Sequence, residues 1–299
     1  MTFFVGLSSV LAGTLLTRQL GIPLIVHHTL TILGSGYTAR FLLPLAQHRY
    51  AQVFATSRDP DRHLNYLGPD QRIRFDLVRP ETWQAIPTST DIVWCFPAVP
   101  IELVRQFADA ASLHARRLVV LGSTSAYDDQ ASADYPPPWV DETAAIDLGK
   151  PRVQGEELLR TNYGAIVLRV AGIYGQGRSP IEWIRTGRVN RSRKYVNLIH
   201  VEDLAASCLA ALSHAESSEV YNISDGYPRT WIDICQMVEQ RWAIRSSDSP
   251  EVNATGKRVS NTRMCELLKE GGTGLRYGDL FEALERIQRN SLNEATPSP

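Results

Sequence analysis

Apolar residues along the chain follow two alternating patterns, short runs typical of strands and longer stretches with helical spacing. Six short runs are rich in β-branched or other apolar residues and end in turn-forming or polar residues, which predicts strands. These runs are LTILGSG (30–36), QVFATSRD (52–59), IRFDL (73–77), DIVWCF (91–96), RLVVLGS (117–123) and AIVLRVAGIYG (165–175). Helical segments such as TARFLLPLAQH and GKPRVQGEELLRTN lie between them. The alternation predicts an α/β fold with a doubly wound parallel (Rossmann) sheet over residues 29–175.

Beyond residue 175 the alternation becomes less regular. The segments VEDLAASCLAALSHA (201–215) and RTWIDICQMVEQRWA (229–243) have helical periodicity, with Asp or Thr near their starts. We therefore expect residues 176–290 to form a small C-terminal lobe that is interleaved with the core and builds the substrate pocket. Residues 291–299 are expected to be a frayed, disordered tail.

The first 28 residues form an apolar extension ahead of the first predicted strand. Its segment FFVGLSSVLAGTLL, residues 3 to 16, is apolar for 14 positions, which is short for a membrane span. It also lacks the basic region that opens a secretory signal. A packed or peripheral helix is therefore favoured over a membrane-surface anchor.

Charge and cysteine usage narrow the class of partner. The 31 basic and 32 acidic residues give a net charge of -1 without a long basic run, which argues against a nucleic-acid partner. The four cysteines are far apart in sequence and form no metal-ligand spacing, so we expect reduced thiols, a cytoplasmic location and no metal site. The chain also contains no GxxxxGK[ST], HExxH or GxSxG motif.

The clearest chemical signal is the glycine turn after the first predicted strand. In the segment Gly34-Ser35-Gly36-Tyr37-Thr38-Ala39, the first glycine permits a tight turn and the second lets the backbone approach a pyrophosphate. The small Ala39 allows close packing of helix and strand, and the helix N-terminus offers N–H groups to an anion. The strand before it and the helix after it provide the context that a dinucleotide site requires.

The end of the second predicted strand bears on the type of cofactor. An NAD site would be expected to place Asp or Glu there for the ribose 2′-hydroxyl, whereas this chain has Thr56-Ser57-Arg58. A hydroxyl and a guanidinium suit a 2′-phosphate, so NADP is favoured over NAD. An arginine on an exposed turn is an equally good reading of Arg58 alone, and the adjacent Asp59 leaves the choice open.

Five later segments make the pattern more specific. They are LVVLGSTSAYDD (118–129), WVDETAAI (139–146), GEELL (155–159), LRVAGIYGQGR (168–178) and NLIHVEDLAA (197–206). Together with the glycine turn, their order and spacing resemble the short-chain dehydrogenase/reductase superfamily. The resemblance is to its extended and atypical branch of NAD(P)-dependent epimerases and dehydratases, and it covers about residues 29 to 285.

This resemblance implies roles for individual positions. Ser123, or the adjacent Thr124, falls where the family holds the substrate oxygen. Three groups of residues would contact the cofactor: Asp76 near the adenine, Phe96, Pro97 and Ala98 beneath the cofactor, and Ala171 to Tyr174, including Ile173, beside the nicotinamide. The segment from His200 to Asp203 resembles the family's connection to the second lobe.

The chain departs from the family at the catalytic pair. The family uses Tyr-x-x-x-Lys on one helix, in which the Tyr exchanges a proton and the Lys lowers its pKa and binds the nicotinamide ribose. Alignment on Gly155-Glu156 places Arg152 at the Lys position and Leu148 at the Tyr position, and no Tyr in the chain has Lys four residues later. Arg152 could still hold the ribose as a fixed cation. Tyr127 or Tyr135 could supply the hydroxyl, although a tyrosine packed in a loop is the more common case.

Three functional hypotheses follow. The first is an atypical NAD(P)-dependent reductase or epimerase-like enzyme, and the second is a cofactor-binding sensor or scaffold without turnover. A membrane-attached auxiliary protein is the least favoured. The basic residues from Arg178 to Lys194 could meet an anionic, nucleotide-sugar-like substrate, or could form a solvated helix face. The resemblance also implies a homodimer.

Overall fold

A computed structural model describes residues 26–112, 115–128, 132, 134–246 and 255–295 of the chain. The apolar segment 3–16 lies outside the described residues. The hypotheses of a packed helix and of a membrane-surface contact for this segment therefore stay predictions. Within the described part of the chain, no helix is both long and apolar enough to cross a membrane.

Seven of the strands form one parallel sheet. They are β1 (Val26–Leu33), β2 (Tyr50–Ser57), β3 (Arg72–Arg74), β4 (Thr90–Trp94), β5 (Ala115–Ser123), β7 (Ile166–Val170) and β11 (Val220–Ile223). Their spatial order is β11-β7-β5-β4-β1-β2-β3, and neighbouring strands pair in parallel. The order reverses between β1 and β4, which is where doubly wound sheets bind ligands at the carboxyl ends of their strands. The predicted fold class is confirmed.

Helices cover both faces of this sheet and build the second lobe. The structure describes α1 (Tyr37–Gln47), α2 (Pro60–His63), α3 (Ile101–Ser112), α4 (Pro151–Tyr163), α5 (Pro180–Arg185), α6 (Val201–His214), α7 (Trp231–Trp242), α8 (Thr262–Glu270) and α9 (Leu280–Ala295). Apolar residues of α1, α6 and α8 form one buried cluster with the sheet, and those of α3 and α4 form another. A third cluster joins α5, α7 and α9 in the C-terminal lobe.

Three two-stranded sheets lie in or beside the C-terminal lobe. The short strands are β6 (Trp139–Val140), β8 (Gly172–Tyr174), β9 (Tyr195–Val196), β10 (Leu198–His200), β12 (Arg229–Thr230) and β13 (Arg258–Val259). They pair as β8 with β10, β9 with β12 and β6 with β13. The predicted sixth strand, 165–175, therefore divides at Ala171, because its second half pairs with β10 instead of continuing in the main sheet.

Both predicted ends of the folded region differ from the structure. The first strand begins at Val26, inside the predicted extension of residues 1–28. At the other end, α9 continues to Ala295 and so includes residues 291–295 of the predicted tail, which otherwise stays a prediction. The sequence contains no proline between Leu280 and Ala295 that would interrupt this helix.

Candidate cofactor and substrate site

The glycine turn lies between β1 and α1, at the point where the strand order reverses. Gly34 has a φ of +97°, and a Cβ there would lie 3.2 Å from Cδ1 of Phe96. Its N–H donates to Oγ1 of Thr56 over 2.9 Å, which ties the turn to the end of β2. Backbone conformation and close packing therefore both require glycine at this position.

Gly36 has a different environment. It precedes the first residue of α1, and a Cβ added to it would have no protein atom within 4 Å. No side chain caps this helix end, and its first turn contains no acidic residue. The helix thus presents N–H groups and the positive end of its dipole to open space, an arrangement suited to an anion such as a pyrophosphate. Thr38 and Ala39 are buried against the sheet, so they contribute packing and backbone groups.

A cleft of about 580 Å³ extends from this turn to the end of β2. Its lining includes Arg40, Arg58, His63, Asp76 and Phe96, together with the glycine turn. Arg40 and Arg58 are exposed, and neither forms an ion pair with another described residue. The cleft therefore combines a volume of ligand size with two arginines that are not paired within the described residues.

The polar residues around Arg58 are already engaged by the protein. The Ser57 hydroxyl is 2.8 Å from Nδ1 of His63 and accepts the N–H of Asp59. The Asp59 carboxylate accepts the N–H of Arg62 and caps α2. Asp76 accepts the N–H of Val78 and lies 3.9 Å from the Arg79 guanidinium. Asp59 is thus committed to a helix cap, the role that its position directly before Pro60 favours.

The segment after β4 connects the cleft beside the glycine turn to α4. Phe96 lines the cleft, and Pro97 is exposed. Ala98, in contrast, is buried. Its carbonyl oxygen lies against α4, where a Cβ added to Gly155 would be 1.9 Å from it. The absence of a side chain at Gly155 lets α4 pack directly on the backbone of this segment.

A second cleft, of about 660 Å³, lies beside the end of β5. Ser123, Thr124 and Ala171 line it from the core, and the lobe contributes aromatic and cationic residues, namely Trp183, Tyr195, Trp231, Lys194 and Lys257. The Ser123 hydroxyl accepts the N–H of Ser125 over 3.2 Å and retains its own proton for donation. Ile173 packs against the core cluster of the sheet and is not among the lining residues.

Leu148 and Arg152 are the two residues that the family resemblance aligns with the catalytic pair. Leu148 precedes α4, which begins at Pro151, and its side chain is 55% exposed. Arg152 donates to the carbonyl oxygens of Leu121 and Gly122 over 3.1 and 2.8 Å, and to Oε1 of Glu156 over 3.1 Å. The protein therefore already holds this guanidinium against the end of β5.

The two tyrosines named as substitutes are both hydrogen-bonded within the protein. The buried Tyr127 hydroxyl donates to Oδ1 of Asn222 over 2.8 Å and accepts from Arg169 over 3.0 Å. Burial raises the pKa of Tyr127, and Arg169 opposes this effect. The Tyr135 hydroxyl donates to the Arg193 carbonyl oxygen over 3.1 Å. Neither hydroxyl is placed as an activated base.

A cluster that sequence analysis missed lies at the edge of the second cleft. Asp128 forms ion pairs with Lys150 and Lys257, and Lys150 also donates to the carbonyl oxygen of Ser125. Asn197 holds the Lys257 segment through hydrogen bonds to the Lys257 carbonyl oxygen and the Val259 N–H. Asp128 and Lys257 are 129 positions apart, so no local pattern could have connected them.

Glu156 is a buried acid beneath the end of β5. Its Oε2 has no hydrogen-bond partner among the described residues, and a Cβ added to Gly122 would lie 2.6 Å from this atom. Burial raises the pKa of Glu156 to about 7, and the guanidinium groups of Arg152 and Arg169 oppose the rise. The protonation state of Glu156 therefore determines whether its contact with the Arg152 guanidinium is an ion pair.

We expect Glu156→Gln to remove a pH dependence of stability. Because the pKa is raised from 4.5 to about 7 on folding, wild-type stability should fall as pH rises through this window. The neutral variant should therefore gain stability relative to wild type from about pH 5 to about pH 8. Thermal unfolding at both pH values tests this, with the exposed Glu182→Gln as control. Parallel pH profiles for wild type and Glu156→Gln would contradict the prediction.

The chain has limited similarity in sequence to known proteins. No family model matches the chain. The protein YeeZ of Escherichia coli K12 is 26% identical over 178 residues, which cover 56% of this chain and 62% of YeeZ. The matched region thus spans less than two thirds of this relative.

Solved structures match over most of the chain. A conserved protein of unknown function from Silicibacter pomeroyi has 26% identity and a TM-score of 0.69, covering 88% of this chain and 99% of its own. A short-chain dehydrogenase/reductase superfamily protein from Agrobacterium tumefaciens with bound NAD has 16% identity and a TM-score of 0.70, covering 90% and 100%. MoeE5 in complex with UDP-glucuronic acid and NAD has 17% identity and a TM-score of 0.68, covering 88% and 99%. The chain has the fold of the short-chain dehydrogenase/reductase superfamily.

Proposed function

We propose that this chain is an atypical short-chain dehydrogenase/reductase that binds NADP(H) and acts as a reductase or an epimerase-like enzyme. The observation that carries the proposal is the glycine turn at the reversal of strand order. There an open helix N-terminus faces a cleft lined by two arginines, Arg40 and Arg58, without ion-pair partners among the described residues. A nicotinamide dinucleotide fits this combination of backbone N–H groups, open space and positive charge.

The preference for NADP over NAD rests on the end of β2. Arg58 is exposed beside the cleft, and Ser57 is oriented by its contact with His63. The negative charge of a ribose 2′-phosphate would be balanced by Arg58, and Arg40 lines the same cleft. A 2′-hydroxyl would need an acidic acceptor at the end of β2, and the nearby Asp59 already caps α2. The charge of the cleft therefore favours the phosphorylated cofactor.

Titration with NADPH and NADH, followed by cofactor fluorescence, tests the proposal. We expect NADPH to bind more tightly, and Arg58→Ala to weaken NADPH binding by about tenfold through the loss of one charge-assisted contact. NADH binding should change little. The matched control is Arg62→Ala, which removes an exposed arginine of α2 that does not line the cleft. Failure of both cofactors to bind would refute the proposed function, and an equal effect of Arg58→Ala on both would refute the NADP preference.

The second cleft is the proposed substrate site. Ser123, with Thr124 beside it, would hold the substrate oxygen, while the bound cofactor would accept or supply a hydride at the adjacent carbon. The aromatic residues of this cleft and Lys194, which has no ion pair with a described residue, suit a substrate that has both a ring and a negative charge. Because MoeE5 was solved with UDP-glucuronic acid, a nucleotide-sugar-like substrate is proposed, and UDP-glucuronic acid is a suitable first probe for binding.

The second candidate function is cofactor binding without turnover, as a sensor or scaffold. The contacts of Arg152 and the exposure of Leu148 favour it, because neither side chain provides the family's proton-transfer group. The double variant Leu148→Tyr/Arg152→Lys separates the two candidates. Turnover by wild type supports the enzyme, whereas turnover by the double variant alone supports a site that has lost its chemistry.

Cellular context and assembly complete the proposal. All four cysteines are free thiols, which suits a reducing compartment such as the cytoplasm. The family resemblance supports a homodimer formed through helices that flank the sheet. Sedimentation at several protein concentrations tests the assembly.

A further inference from the structure

A tight loop from the second lobe packs against the N-terminus of α1. In the loop from Gly175 to Arg178, the N–H of each of these two residues donates to the carbonyl oxygen of the other over 2.9 Å. Gly177 has a φ of +72°, a conformation that glycine adopts without strain. Arg178 is therefore carried by a closed, hydrogen-bonded loop.

The loop contacts the first residue of α1 directly. The Tyr37 hydroxyl donates to the Gln176 carbonyl oxygen over 3.0 Å. A Cβ added to Gly175 would lie 2.7 Å from the same hydroxyl oxygen, so the two segments are closely packed. Burial raises the pKa of Tyr37 to about 12, which keeps its hydroxyl protonated as a donor. Above the Tyr37 ring lies the guanidinium of Arg178, 5.7 Å from the ring centroid.

The charge of Arg178 is not balanced by any carboxylate of the described residues. A helix N-terminus is the positive end of the helix dipole and repels a cation, yet Arg178 stacks on the first residue of α1. Arg178 is exposed and has no ion pair with a described residue. The carboxylate of Glu202, which also acts on Tyr37, is paired with Arg276 and accepts the Tyr277 hydroxyl. A ligand with negative charge would relieve this repulsion.

We propose that Arg178 is a cofactor-binding residue supplied by the second lobe, and that it contacts the pyrophosphate of NADP(H) opposite the N-terminus of α1. This inference rests on the proposed function. The pyrophosphate would then lie between the backbone N–H groups of α1 and one guanidinium, and both sources of positive charge would be satisfied.

The arrangement also connects the two clefts. Arg178 is followed by Ser179, whose side chain caps α5, and Trp183 of this helix lines the proposed substrate cleft. A cofactor held by Arg178 would therefore fix the start of the helix that carries a wall of the substrate site. Cofactor binding would order the substrate site through this short helix.

Calorimetric titration with three probes tests the inference. NADPH and ADP both contain a pyrophosphate, whereas adenosine 2′,5′-bisphosphate does not. We expect Arg178→Ala to weaken NADPH and ADP binding by about tenfold or more, and to change adenosine 2′,5′-bisphosphate binding by less than about twofold. Arg178→Lys should be intermediate, because it keeps the charge but loses the planar group. Arg58→Ala should weaken NADPH and adenosine 2′,5′-bisphosphate but not ADP.

The matched control is Arg188→Ala. Arg188 is also exposed and lies over an aromatic ring, 5.9 Å from the centroid of Trp183. If Arg178→Ala binds NADPH and ADP as Arg188→Ala does, the inference is overturned while the proposed function stands. If wild type binds none of the three probes, both fail. An equal loss of all three probes in Arg178→Ala, with a lowered melting temperature, would also overturn it, because that pattern indicates a disturbed loop.

Discussion

Replacing Gly155 by alanine is expected to destabilise the protein by about 1–3 kcal/mol, although the substitution improves helix propensity. Gly155 lies in the first half of α4, where alanine would ordinarily stabilise the helix by about 1 kcal/mol. Here the added Cβ would lie 1.9 Å from the Ala98 carbonyl oxygen and 3.0 Å from the Ala98 Cβ. These are backbone and short side-chain atoms, which cannot move aside as a long side chain can, so helix and segment must separate.

The same displacement should weaken cofactor binding. Ala98 follows Phe96 and Pro97, and Phe96 lines the proposed cofactor cleft. Chemical denaturation measures the stability, and NADPH titration measures the binding. The control is Thr161→Ala, an exposed position of the same helix that tests propensity without the contact. A Gly155→Ala variant as stable as wild type, or more stable, would show that α4 does not pack on this segment as described.

Replacing Gly36 by aspartate is expected to weaken NADPH binding by more than about a hundredfold with little effect on folding. A Cβ at this position has no protein atom within 4 Å, and its φ of -72° is accessible to any residue. The new carboxylate would project into the space in front of α1, where the proposal places the pyrophosphate. There it would repel the phosphates and exclude them sterically.

The matched control for this substitution is Gly274→Asp. Gly274 also has no protein atom within 4 Å of an added Cβ and has no positive φ, but it is not part of the cofactor cleft. Both variants should melt near the wild-type temperature, and only Gly36→Asp should lose NADPH. Undiminished NADPH binding by Gly36→Asp would show that the open space at this turn is not the cofactor site.

Local patterns predicted the glycine turn and most of the main sheet because both depend on residues close in sequence. Strand boundaries were predicted to within a few residues, and the exceptions have specific causes. The strand predicted over 165–175 divides because its second half pairs with residues 198–200. The short β11 was not predicted, since VYNI has only four residues and no distinctive alternation.

The candidate site was predictable only in part. The segment Thr56-Ser57-Arg58 was identified because it ends the second strand of a predicted dinucleotide unit. The pair Ser123-Thr124 was identified through the family resemblance. The Asp128–Lys257 ion pair and the contact between Arg178 and Tyr37 were not, because each joins residues from different lobes. The close contact of Gly155 with the Ala98 backbone was not predicted either. The sequence placed Gly155 in a helix, and only the structure shows which segment that helix packs against.

The order of apolar runs, the glycines and the polar strand ends were sufficient to establish the α/β class, because periodicity and turn chemistry act over a few residues. The same local signals locate the glycine turn that we propose to bind a dinucleotide. Only the tertiary structure decided which side chains remain unpaired and which are already used. It assigned Asp59 to a helix cap, Arg152 to the carbonyl oxygens at the end of β5 and Tyr127 to a buried network. Those outcomes depend on long-range packing, which brings charges and hydrogen-bond partners together regardless of their separation along the chain.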